Sequence, residues 1–68
     1  MTDVKLLQEK IDQSGYKVRF IAEKVGITYQ GLRKKMQNKS EFKVSEIQTL
    51  CRLLDLSEQE REAIFFCA

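Results

Sequence analysis

A chain of 68 residues, 43% of them hydrophobic, makes one domain with a marginal core and is too apolar to be a disordered tail. With no proline and only three glycines it offers few of the breaks an all-β protein needs, and no apolar run approaches the roughly 20 residues of a membrane span. The formal charge is only +2, but it is unevenly spread: residues 17–43 carry eight cations against Glu23 and Glu41, while both flanking segments are net acidic. That layout suits one face for a polyanion and two faces that are not.

Five helical patterns follow in chain order. The first spans residues 2–14, with Val4, Leu7 and Ile11 on one stripe and Leu6 widening it. Asp3 suits the positive end of the helix dipole, and Gly15 can take the left-handed conformation that closes a helix. The second spans 17–25, where Val18, Ile21, Ala22 and Val25 recur at i, i+3, i+4 and i+7. Ala22 is small enough for another helix backbone to come close. Gly26 ends this helix, Ile27 anchors the turn, and Thr28 is a good N-cap for the next element.

The third pattern, 29–37, has only Leu32 and Met36 as core residues; the rest of its surface is polar or basic. Gly31 inside it costs about 1 kcal/mol relative to alanine, which suggests that something approaches the backbone closely there. The loop "NKSEFK" is anchored by Phe42. The fourth helix spans 44–54 with a stripe of Ile47, Leu50, Cys51 and Leu54, and Leu53 beside it. Its start fits either Ser45 with Gln48 or Lys43 with Glu46 as a capping pair. The last helix has the clearer cap, Ser57 with Glu60, and runs into "AIFFCA". The expected fold is all-α, a single domain over 1–68.

The chemistry-bearing residues are few. Cys51 and Cys67 are too few for a disulfide framework or a zinc site, and histidine is absent. Both thiols are expected to be reduced and buried, in a cytoplasmic protein whose N-terminus has no signal-peptide layout. No nucleophile, base and acid assemble into a set, so no enzyme, cofactor or small-molecule substrate is expected.

Binding is the better-supported class. Two short helices joined by a glycine-containing turn make a helix-turn-helix when the second can lie in a major groove. The first must be short and amphipathic, the turn must tolerate positive φ, and the second must present polar side chains from its first turns. "FIAEKVGITYQGLRKK" meets all three demands.

On Ile21-Ala22, Val25-Gly26, Thr28, Leu32 and the later "LCRLLDLS", the chain resembles the helix-turn-helix domain of phage Cro and C1-type repressors, the XRE family. The stretch from "GLRKKMQNKS" to "REAIFF" is further similar to small prophage-encoded Cro-like regulators of Gram-positive bacteria. The resemblance implies a five-helix bundle of the lambda-repressor-like type, with the helix-turn-helix at about 17–37. It also implies a regulator that binds double-stranded DNA as a two-fold dimer on a pseudo-palindromic operator.

Carried over residue by residue, the base-reading positions are Thr28, Tyr29, Gln30, Arg33 and Lys34. Glutamine can pair with adenine N6 and N7, and arginine or lysine can reach guanine O6 and N7. Tyr29 either contacts a base or phosphate or folds back beside Leu32. The family often has a phosphate-binding glutamine near the start of the brace helix; here Val18 stands there, and Lys17 and Arg19 flank it as candidate replacements. Lys35 is expected on a phosphate. Lys39 and Lys43 either contact phosphates or are plain surface charge.

Phe65 and Phe66 are adjacent, so on one helix they point about 100° apart and cannot share one face. One is expected to close the core and the other to form a symmetric, weak homodimer contact. The competing reading of the whole chain is a protein-interaction module, antitoxin-like or antirepressor-like, that keeps the fold without reading DNA.

Overall fold

The computed structural model describes residues 1–66, and within them every regular element is an α-helix. The order is α1 (Val4–Ser14), α2 (Val18–Val25), α3 (Tyr29–Lys35), α4 (Val44–Leu53) and α5 (Glu58–Phe65). None of these helices is long and apolar enough to cross a membrane. Residues 67 and 68 lie outside the described part, so the expectation of a buried Cys67 falls there too.

One core joins all five helices. Leu7 and Ile11 of α1, Ile21 and Ala22 of α2, Leu32 and Met36 at α3, Ile47 and Leu50 of α4, and Ile64 and Phe65 of α5 are buried together. Val18, Val25, Ile27, Phe42 and Cys51 pack around them half-buried. α2 lies against both α3 and α4, and α1 lies against α5. The small buried Ala22 sits on the face of α2 that makes this packing possible.

The helix ends follow one chemical plan. Gly26, at φ 88°, closes α2: its N–H and that of Ile27 both donate to the Ala22 carbonyl, at 2.9 and 3.0 Å. Asn38 (φ 60°) and Asp55 (φ 53°) do the same work after α3 and α4 without being glycine. Lys39 N–H reaches the Lys34 carbonyl at 3.0 Å, and Leu56 N–H reaches the Cys51 carbonyl at 2.9 Å. With Gly15 (φ 77°) after α1, four helices are therefore stopped by left-handed residues whose neighbourhoods absorb otherwise unpaired carbonyls.

At the other ends, Asp3, Thr28 and Ser57 accept backbone N–H donors as N-caps. Ser57 and Glu60 form the expected reciprocal capping box. At α4 the open choice of start resolves to Lys43 with Glu46: the Glu46 carboxylate accepts from the Lys43 N–H at 2.8 Å. A lysine side chain has no acceptor to complete the box, so only that half forms.

Candidate nucleic-acid interface

α2, the Gly26 turn and α3 form the expected two-helix unit, with α3 held against α2 by Leu32 and Met36. Because those two residues supply the buried seam of a seven-residue helix, Gln30, Arg33 and Lys34 are left exposed. Among the described residues none of these three side chains makes a hydrogen bond or ion pair. Lys17, at the N-cap of α2, is exposed with its backbone extended and offers no side-chain cap. Lys39 and Lys43 are exposed in the loop between α3 and α4.

Thr28 and Tyr29 are less free than a base reader would be. The Thr28 hydroxyl oxygen accepts from the Gly31 N–H at 3.0 Å, which occupies it as the N-cap of α3. Tyr29 is half-buried, and the Arg19 guanidinium lies 4.3 Å from its ring centroid. Tyr29 thus neither joins the core seam nor stands clear: it is a platform under Arg19, tying the start of α2 to the start of α3. Gly31 has a local reason as well. A Cβ there would stand 3.0 Å from the Thr28 hydroxyl oxygen and nothing else nearby, so the missing side chain keeps the cap uncrowded.

One expectation needs correction, and one open choice is resolved. Lys35 is not a phosphate ligand: its ammonium turns inward to the Glu46 carboxylate at 2.6 Å, and both side chains are largely shielded from water. An ammonium already paired in a shielded site is not available to a phosphate. Of the two adjacent rings, Phe65 is the one the core takes. It is buried and meets Phe42 edge-to-face at 5.5 Å, whereas Phe66 is 58% exposed. The divided roles of the two rings are therefore Phe65 for the core and Phe66 for the surface.

Glu46 was read only as a capping partner, and its pairing with Lys35 was missed. Burial alone pushes its carboxyl up, but the Lys35 ammonium and the Lys43 N–H outweigh that and leave it lowered. It fixes the last turn of α3 against the first turn of α4, with the loop carrying Lys39 and Lys43 between them. Its three-residue spacing from Lys43 was a visible signal; the partner eleven residues upstream was not. Asn38 was missed too. Its side chain accepts from the Thr2 N–H at 3.3 Å and donates to the Thr2 carbonyl at 3.0 Å, clamping the loop to the N-terminal residues.

Cys51 is half-buried, and burial pushes its thiol up against a smaller downward pull from Arg61. A raised thiol holds little nucleophilic thiolate. On the outward face of α3 the groups on offer are the Gln30 amide and the Arg33 and Lys34 cations. Compared with known proteins, the chain matches no family model, no curated protein and no solved structure.

Proposed function

We propose that this chain is a sequence-specific double-stranded DNA-binding transcriptional regulator, a Cro/C1-like repressor that reads the major groove with α3. The observation that carries the proposal is the combination of unengaged Gln30, Arg33 and Lys34 on a short helix braced by α2 through a left-handed glycine turn. Groups without a protein partner are free to meet base edges, and Lys17, Arg19, Lys39 and Lys43 flank them as phosphate partners. Two copies occupy the halves of a pseudo-palindromic operator, with Phe66 of α5 at the contact between them.

Selection of bound duplexes from a random pool, followed by gel shifts over a salt series, tests this. The expected result is one enriched sequence and an affinity that falls steeply with salt. Gln30→Ala is expected to weaken the selected site by about 1–3 kcal/mol while leaving random duplex binding nearly intact. No enrichment and no salt dependence would instead favour a protein-interaction module built on the same fold.

A further inference from the structure

On the flank of α2 away from Arg19, an open groove of about 350 Å³ runs between α2 and α4. Tyr16, Lys24, Thr49, Arg52 and Leu53 line it. Phe20 stands at its edge: its ring meets Tyr16 at a tilt of 36° with centroids 5.1 Å apart, and the Lys24 ammonium sits 5.4 Å from its centroid. Both rings stay well exposed, Tyr16 at 41% and Phe20 at 37%. Phe20 and Lys24 lie about 100° and 140° around the helix axis from Arg19, so this surface is turned away from Arg19 and is bordered by Lys17. Its charged lining is purely cationic.

The same chain carries a surface of the opposite character. Glu58, Glu62 and Phe66 follow one another at i, i+4 and i+8 along α5 and its C-cap, and all three are exposed. The exposed charges of α5 are therefore acidic, and the stripe ends in an aromatic ring. A contact of α5 directly on its twin would set acids against acids. The cationic, aromatic groove offers the complement.

We propose that the groove between α2 and α4 receives the Glu58, Glu62 and Phe66 stripe of α5 from a second copy of this chain. Each copy holds both halves, so a two-fold pair makes the contact twice and leaves neither half open. This rests on the two-copy reading given above, and adds to it the surface that takes Phe66. DNA reading by α3 does not enter into it.

A charge exchange tests it on the full chain. One variant carries Lys24→Glu and Arg52→Glu, the other Glu58→Lys and Glu62→Lys. Sedimentation equilibrium is expected to show concentration-dependent dimers for wild type and at least roughly tenfold weaker association for each variant alone. An equimolar mixture is expected to restore dimers, since both contacts of the mixed pair are again complementary. That restoration also shows both variants to be folded. A groove variant that dimerises like wild type, a mixture that stays monomeric, or wild type that is monomeric at millimolar concentration overturns the proposal. Gel shifts on a half-site, run beside it, report DNA binding independently of all three outcomes.

Discussion

At Gly26 a Cβ would meet nothing within 4 Å, yet φ is 88°. Any cost of filling that position is therefore conformational rather than steric. Gly26→Ala should lower stability by about 1–2 kcal/mol, and Gly26→Val by more, since β-branched residues avoid this region. Asp55 makes the opposite case: it holds φ 53° with its side chain in solvent. Asp55→Gly should raise stability by roughly 0.5 kcal/mol, the relief of strain exceeding the entropy that glycine adds to the unfolded chain. Urea titration of both variants checks the pair, and a stable Gly26→Val would show that α2 ends some other way. Asn38→Gly should not share the gain, because it removes the two bonds to Thr2. Tyr29 and Arg19 are coupled by contact: Tyr29→Phe should be nearly neutral and Tyr29→Ala should lose about 0.5–1 kcal/mol. With Arg19→Ala already in place, the Tyr29→Ala loss should largely vanish in the same titration. The glycine stops were legible in the sequence because glycine advertises positive φ. Asn38 and Asp55 were not, because only a few per cent of other residues adopt it.

Between elements, the legible part was each helix's own apolar stripe. Leu7, Ile11, Ile21, Ala22, Leu32, Met36, Ile47 and Leu50 all entered the core that periodicity assigned them, because burial of one face is a local property of helical spacing. How α3 meets α4 was not legible. It depends on Lys35 and Glu46, eleven residues apart, and no periodicity links residues across a loop. The site reading of Lys35 failed for that reason. The ion pair makes a prediction about acid. Glu46 has a lowered carboxyl in the fold, so it releases its proton more readily there than in the unfolded chain. Its contribution is present above the ordinary carboxyl range and is lost as pH falls through and below 4.5. Glu60 behaves in the same direction: Lys10 and the Ser57 N–H hold it down to about 2, though its exposure to water screens the energetic effect. Stability measured from pH 7 to pH 2 should therefore fall on the acid side. Glu46→Gln should lower the neutral-pH value by about 3 kcal/mol, since it strands the Lys35 ammonium. It should also flatten the part of the acid slope that Glu46 supplies. An acid slope unchanged in Glu46→Gln would mean that other carboxylates carry it.

For the molecule as a whole, the question is which cations of the basic middle segment are available to a polyanion. The fold divides them. Lys35 is spent inside on Glu46. Lys17, Arg19, Lys24, Arg33, Lys34, Lys39 and Lys43 remain exposed, and none has a carboxylate partner among the described residues. The loop that bears Lys39 is also held in place. Asn38 clamps it to Thr2, and the neighbouring Asp3 N–H donates to the Ile64 carbonyl at 2.7 Å, so the N-terminal residues fasten loop and α5 together. Lysines on a fastened loop lose little further freedom on meeting a phosphate. Each phosphate neutralised releases condensed counterions and adds about 0.9 to the slope of log affinity against log salt. Lys39→Ala and Lys43→Ala should therefore each weaken binding to all duplex sequences alike and lower that slope by about one. Lys35 provides the contrast. Removing it alone would strand Glu46, so the comparison uses Lys35→Met together with Glu46→Leu, a double replacement that keeps the site filled and leaves no unpaired charge. That variant should fold and keep the wild-type slope, because the lysine it removes never faced the DNA. A slope that falls by one in the double variant would put Lys35 back on a phosphate. An unchanged slope in both loop variants would make Lys39 and Lys43 ordinary surface charge and move the phosphate contacts to the α2 side of the unit, to Lys17 and Arg19.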